Sequence, residues 1–592
     1  MKKLFCKVRE LPNWSKSLLM AVLLLTTYVV IVYFHFTLSE FSTEYPFMYG
    51  GDPNLGLMTM KISQENGGVV KDITRLGYPD GTSLHRFQVF YIEYFKFLVW
   101  GILGFFTSGV CETWNVYMLT IPLMNLLICY AVFRSMKISR LNSYVGAVAF
   151  AFCYYYFARI GGHDTLASFY FVPLSFLLCF WCEEDNRLLR GGSLLTYGRN
   201  WLFLLFCFCI AGNGNAYYPF FTCMILGITM IDIVINRKGV KKCLNCLTAI
   251  GAVAVFFFLS TKVPVWMGWV GNETSGVVRS PAETEIYGLR LSTMFLSPNG
   301  FFVPALKSAY DVSRSTAVLL NENETAYLGV IGICGLLSLF VLFMQKDNGR
   351  SDLLDDRRRL LLKQVVCMML YATIAGIGLL FSIIITRQIR CTNRVSIFIQ
   401  FACVLAFVLL LEQMRRANKG KYALAVCILA ICVTAFNMVD LTGQWRRLSC
   451  ANAQQEFSAD KTYVEQVEAS AGKDGVIFQI PFCGFPEYAL QGVPHYNYLL
   501  FYLHSDGLST VYGAPAGSEN ENWYCQTAAL PTEQMLEEVH NAGFSGISVD
   551  WRAYSEEDAA RLRQEMEALL GAPSAVREGG TTSYYSLEAY VP

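Results

Sequence analysis

The chain has 592 residues, of which 54% are hydrophobic and 16% charged, and its formal net charge is +1. A soluble chain carries roughly a quarter charged residues, so the composition excludes an ordinary soluble domain. The near-neutral balance gives no electrostatic footprint for nucleic acid.

In chain order, the first segment, MKKLFCKVRELPNWSKSLLMAVLLLTTYVVIVYF, joins a basic start to an apolar stretch as long as a spanning helix needs. No small-residue cleavage site follows, and the segment reads as a retained first helix. Apolar windows long enough to span lie near 17–37, 115–136, 142–159, 165–182, 200–217, 219–236, 243–265, 326–344, 364–385, 395–412 and 421–440. A further window, 87–106, is interrupted by Glu93 and Lys96. The basic clusters at Lys2–Arg9, Lys137/Arg140, Arg187–Arg199, Arg237–Lys242, Arg357–Lys363 and Arg415–Lys421 fall on one side only if 87–106 does not cross. It is therefore expected to be an interfacial or re-entrant helix. That leaves about eleven crossings, an N-terminus in the cytoplasm and a C-terminus outside.

With this topology the exterior receives loop 38–114, residues 159–167, residues 211–219, loop 266–325 and everything after about 441. The tail is a different kind of sequence. GVIFQIPF (475–482) and GISVDW (546–551) read as buried strands, residues 531–544 and 555–572 as amphipathic helices, and 582–591 as a closing strand. The expected fold class is a polytopic α-helical membrane domain, 1–440, followed by an extracytoplasmic α/β domain, 441–592. Cys483 and Cys525 could pair outside the cell. The other cysteines, such as Cys153, Cys179 and Cys403, lie in apolar runs where thiols pack as small hydrophobes.

Four stretches carry residues suited to chemistry. FMYGGDPNLG places Asp52 behind two glycines, just after the first helix. A carboxylate at the membrane edge is costly without water or a partner, and one acid on a permissive backbone suits a general base. The plainer reading is a cap or turn before Pro53. RLGYPDGTSLHRF gives a turn at Pro79-Asp80-Gly81, with His85 and Arg86 as anchors. ARIGGHDTLA sets His163 beside Asp164, either a proton-shuttling pair or a polar cap. In TRQIRCTNR, Arg387, Arg390 and Arg394 follow the spacing of one helical face. They lie outside, against the charge bias, where guanidinium forks suit phosphate oxygens; the alternative is snorkelling toward headgroups. No Walker A loop, Rossmann glycine fingerprint or HExxH occurs. A group transferred on the outer face must then arrive attached to a lipid.

The ordered set of Gly51-Asp52, YPDG, GGHDTLASFYFVPL, NENETAYLGVIGICGLL, IRCTNRVSIF and an exterior α/β tail resembles the GT-C superfamily of membrane glycosyltransferases, most closely YfhO-like bacterial members. The resemblance implies an inverting transferase in the bacterial cytoplasmic membrane. It would move a sugar from a polyprenyl-phosphate-linked donor to a cell-envelope glycan or glycolipid. Asp52 would be the catalytic base, His163, Asp164 and Glu324 would line the cavity, and Arg387, Arg390 and Arg394 would bind the donor phosphate. No cofactor is certain; a divalent cation is the possible one, although Gly51 stands where many members carry a second acid. The rival readings are a lipid-linked sugar transporter and a catalytically inactive envelope scaffold.

Overall fold

The computed structural model describes residues 12–84, 93–184, 198–271, 277–298, 304–319, 321–345, 352–417, 423–442, 447–486 and 488–591. The chain divides into two compact units. One comprises Met1–Leu38, Met118–Phe258 and Arg279–Arg447; the other comprises Ser39–Tyr117, Leu259–Val278 and Leu448–Pro592.

Each of the eleven apolar windows falls on helix. Five helices among the described residues are long and apolar enough to cross a membrane: Asn13–His35, Val110–Ser135, Tyr217–Ile235, Val240–Trp266 and the stretch Thr392–Ala417. Shorter apolar helices accompany them, and the protein is a multi-pass membrane protein.

In the first unit the helix Ser396–Ala417 is buried along nearly its whole length. The helices Arg140–Ala151, Gly329–Met344 and Leu353–Ala372 pack around it. Phe401 stands at the centre, with ring centroids 5.0 Å from Phe150 and Phe176 and 5.6 Å from Phe133. Lipid offers apolar side chains no preference for a neighbouring helix, so close backbone approach supplies the packing. Gly335 shows this: a Cβ there would lie 1.9 Å from the Cys403 carbonyl oxygen.

Three expected spans are broken, and at two of the breaks groups distant in sequence take over the freed backbone bonds. Window 142–159 splits into Arg140–Ala151 and Tyr154–Arg159. Window 165–182 becomes the turn Asp164–Ala167 and the helix Val172–Cys182. Here Tyr218 Oη donates to the Leu166 carbonyl (2.6 Å), and the Asn125 and Asn213 amides donate to those of Ala167 (3.0 Å) and Ser168 (2.7 Å). Window 364–385 splits at 373–376, where the Ala372 carbonyl accepts from Leu289 N–H (2.7 Å) and the Thr392 hydroxyl (2.9 Å).

Basic clusters gather at one end of this unit. Lys238 and Lys363 both pair with Asp232, and Lys238 also reaches Glu183 at 2.6 Å. Arg415 and Arg416 share the buried Glu412. The helix Ser396–Ala417 carries those two arginines in its last turn, and Arg394 stands just before its first.

The second unit holds a five-stranded sheet in the order β2-β1-β3-β5-β4. The strands are β1 (Val476–Ile480), β2 (Ser509–Thr510), β3 (Gly546–Asp550), β4 (Ala575–Val576) and β5 (Thr582–Ser586). β1 runs parallel to β2 and β3, whereas β5 is antiparallel to β3 and β4. Phe478, Ile480, Ile547, Val549, Leu536 and Met566 form one face of its core. The closing strand stops at Ser586, short of the expected 591. Ser518 and Ser555 cap the helices Glu519–Ala528 and Glu556–Leu570, each accepting from the backbone N–H three residues on.

Loop residues 75–78 serve the edge of this sheet. Thr510 N–H donates to the Arg75 carbonyl, and Tyr78 N–H donates back to Thr510, both at 2.9 Å. An otherwise bare strand edge is thereby covered. Of the expected interfacial helix 87–106, the structure describes Tyr94–Gly104, while 85–92, with His85 and Arg86, lie outside the described residues. These 11 residues span about 16 Å, half a hydrocarbon core. Glu93 and Lys96, which interrupt the apolar run, are both buried and pair with each other at 2.7 Å. Cys483 and Cys525 are both free thiols, the first buried and the second exposed.

Candidate functional site

The first unit brings charged side chains together at the end away from its basic clusters. Arg159 closes the helix Tyr154–Arg159 and is 2% exposed. Its Nη2 lies 2.6 Å from Glu322 Oε2, and its guanidinium packs over the Tyr155 ring at 5.5 Å. Glu322 opens the short turn Glu322–Ala326, and its other oxygen lies 3.5 Å from His163 Nε2. Burial alone would raise the Glu322 carboxyl, but Arg159, then Arg394 and His163, outweigh it and hold the carboxyl down at about 2. Glu322 is therefore ionised at any physiological pH.

Arg394 belongs to the turn Thr392–Val395, which leads straight into the 22-residue helix Ser396–Ala417. Its guanidinium sits over the Tyr217 ring at 4.6 Å. Around it several buried polar atoms have no hydrogen-bond partner among the described residues: Arg394 Nε, both amide atoms of Asn393, and Ser396 Oγ. Buried polar groups are almost always satisfied, so such a concentration within four consecutive positions marks a place prepared for something else.

The three arginines do not form one helical face. The helix Ile377–Ile384 ends before them, and backbone donors that would continue it are engaged elsewhere. Gln388 N–H goes to the Thr386 hydroxyl (3.2 Å), Cys391 N–H to Tyr217 Oη (3.3 Å), and Asn393 N–H to the Tyr287 carbonyl (3.0 Å). Their surroundings differ accordingly. Arg387 is exposed in a bend. Arg390 pairs with Glu283, which Arg279 also approaches at 3.9 Å, and lies over the Tyr287 ring at 5.2 Å. Of the three, only Arg390 has a carboxylate within 4.0 Å among the described residues, and of the other two Arg387 is exposed whereas Arg394 is half-buried.

Asp164 begins the turn Asp164–Ala167, where its carbonyl accepts from the Ser168 hydroxyl at 2.8 Å. Glu324 falls in the turn of Glu322, but its side chain lies outside the described residues. The residues that sequence reasoning missed are Glu322, Glu283 and Tyr217. NENET offers two acids two positions apart, and nothing in the string says which one meets Arg159.

Asp52 belongs to the second unit, where it is the exposed first residue of the helix Asp52–Glu65. Gly50 and Gly51 have φ of +86° and +69° with open space around each. Backbone conformation is thus the reason for glycine here, rather than room for a neighbour. The Asn54 side chain accepts from Gly50 N–H at 2.8 Å and fixes the turn. Tyr49 anchors it from behind, donating to Asp460 at 2.8 Å and meeting His504 Nε2 at 2.9 Å. Asp460 in turn pairs with Arg577. Burial raises the Asp460 carboxyl above its ordinary value and lowers His504 to about 3.

Among the described residues no three His, Cys, Asp or Glu side chains are grouped to hold a metal ion. Asp52, preceded by Gly51, belongs to no such group among the described residues.

The family described as "Domain of unknown function (DUF6311)" matches residues 95–441, more than half of the chain. The chain belongs to the DUF6311 family. No curated protein matches it in sequence. Among solved structures, the arabinofuranosyltransferase AftD from Mycobacteria shares 14% identity with this DUF6311 protein at a TM-score of 0.50. The match covers 92% of this chain and 37% of AftD, so the chain spans little more than a third of that enzyme's length. ArnT from Cupriavidus metallidurans, bound to undecaprenyl phosphate, shares 9% identity at a TM-score of 0.49, covering 98% of this chain and 100% of ArnT. At 14% identity the likeness to AftD shows the fold, that of the GT-C membrane glycosyltransferases.

Proposed function

We propose that this DUF6311 protein is an inverting glycosyltransferase. It takes a sugar from a polyprenyl-phosphate-linked donor and passes it to an extracytoplasmic acceptor of the cell envelope. The observation that carries the reading is the group of unsatisfied buried polar atoms at Asn393, Arg394 and Ser396, at the N-terminus of a long helix. A helix N-terminus with a guanidinium beside it is suited to a phosphate. Arg394 is the principal donor-phosphate residue, and Arg390 and Arg387 assist from the same segment. His163 and Asp164 line the cavity, with Glu322 in the role first expected of Glu324.

Asp52 deprotonates the acceptor hydroxyl. The acceptor oxygen then bonds to the anomeric carbon from the face opposite the donor phosphate. The bond from that carbon to the phosphate oxygen breaks, and its electron pair leaves with the lipid phosphate. Arg394 and the helix N-terminus stabilise the charge that develops there. In this reading residues 1–440 form the membrane domain of a bacterial plasma-membrane protein with a cytoplasmic N-terminus. Residues 441–592 stand outside and steady the segment that carries Asp52.

The test follows both halves of the donor. Purified protein in liposomes receives a polyprenyl-phosphate sugar labelled in the sugar, together with envelope glycan. Transfer predicts free polyprenyl phosphate in step with labelled glycan. Intact donor appearing on the far leaflet without cleavage would mean a transporter, and neither event would mean a scaffold.

A further inference from the structure

A cavity of about 500 Å³ opens between the helices Asn13–His35 and Val110–Ser135, and every residue lining it belongs to the first unit. Its length is apolar, formed by Leu24, Leu25, Leu123, Leu126 and Leu127. One end is polar: Ser17, Tyr130, Arg134 and Arg140. Two hydrogen bonds close the groove beyond its apolar end, Tyr28 Oη to the Leu119 carbonyl (2.9 Å) and Thr27 to Tyr144 Oη (2.8 Å).

Two arginines, Arg134 and Arg140, line this polar end. Arg134 donates to the Ile138 carbonyl, and Arg140 reaches the Asn13 carbonyl at 3.5 Å and the Ser17 hydroxyl at 3.3 Å. Both act electrostatically on the Tyr130 hydroxyl. Neither has a carboxylate within 4.0 Å among the described residues, unlike Arg199, Arg358, Arg415 and Arg416 elsewhere in the unit. The eleven-residue step from Leu123 to Arg134 rises about 16 Å along the helix, close to half of a ~30 Å hydrocarbon core. An apolar slot one leaflet deep, with two guanidiniums at its mouth that have no carboxylate partner among the described residues, matches one phospholipid, acyl chain inward and phosphate at the arginines.

We propose that this groove is a binding site for an anionic phospholipid of the membrane itself. It is separate from the donor site: Arg140 opens the helix Arg140–Ala151, whereas Arg159 lies beyond that helix's far end. The site would tie the first helix, most of whose surface is exposed, to the rest of its unit.

The experiment uses the full-length protein in nanodiscs of equal phosphatidylglycerol and phosphatidylcholine. Detergent extraction and native mass spectrometry then count retained lipid. Phosphatidylglycerol is expected to be retained over phosphatidylcholine. R134Q/R140Q should lower that preference by about 25-fold, at roughly a factor of five per basic group near an anionic headgroup. Ala21→Phe, which fills the slot and leaves both arginines in place, should reduce retention of either lipid and serves if the double variant does not fold. Equal retention of the two lipids by the wild type would overturn the proposal. So would displacement of phosphatidylglycerol from the wild type by undecaprenyl phosphate, with that displacement lost in R134Q/R140Q, because the groove would then belong to the donor lipid.

Discussion

Glu322→Gln keeps the size of the side chain and removes the charge that Arg159 faces. The carboxyl is held at about 2 against an ordinary 4.5, although burial pushes the other way. The distance between those values corresponds to roughly 3 kcal/mol. Because the folded carboxyl titrates below the unfolded one, this stabilisation is fully present above pH 4.5 and is lost as pH falls toward 2. Unfolding of the purified protein in detergent, followed by tryptophan fluorescence against denaturant at pH 7 and pH 3, measures it. E322Q should be less stable than wild type by about 3 kcal/mol at neutral pH, with the gap narrowing at pH 3. R159M/E322Q should lose less than E322Q alone, since it leaves no bare guanidinium in the interior. Equal stability of E322Q and wild type at pH 7, or a gap that does not shrink on acidification, would refute the reasoning.

Other expectations concern the arginines and the segment bearing Asp52. Arg394→Gln should weaken donor binding by tenfold or more, on the scale of one lost charge-assisted contact at roughly 1.5–3 kcal/mol. Arg390→Gln should change it less, because Glu283 already engages that side chain; titration with a polyprenyl-phosphate sugar distinguishes the two. Gly51→Ala forces a Cβ onto φ +69°, ψ −145°, a strain of about 1–3 kcal/mol. Transfer should slow while donor affinity holds, read as a drop in kcat at unchanged donor Kd. His504 stays neutral down to about pH 3 because it is buried. Below pH 6.5 the unfolded chain therefore binds a proton that the folded one refuses, and stability falls as pH drops from there toward 3. His504→Asn should flatten that slope in hydrogen-exchange measurements.

Helix and strand were legible because both depend on local patterns. Apolar length set the eleven windows, and short apolar runs and amphipathic spacing set two of the tail's strands and two of its helices, while the helices Cys450–Ala471 and Glu519–Ala528 were not read from the sequence. The breaks inside three windows were hidden. They rest on donors far along the chain: Asn125, Asn213 and Tyr218 for one, Leu289 and Thr392 for another. The arginine spacing in TRQIRCTNR misled for the same reason. Helical periodicity was present, but Tyr217 and Tyr287 captured the backbone donors. His163 could be picked from its polar setting between apolar runs. Its partner Glu322 could not, because two acids in NENET compete and only the turn geometry separates them. YPDG read correctly as a turn, while the residues just before it pair with a strand more than 400 positions later, a contact that no local signal announces.

The central claim is that Asp52 performs the proton transfer for a donor held at Arg394. Asp52→Asn, assayed under single-turnover conditions at saturating polyprenyl-phosphate sugar, tests it most directly. The account predicts release of polyprenyl phosphate at least a hundredfold slower than wild type, with donor affinity unchanged. Release at the wild-type rate would contradict it.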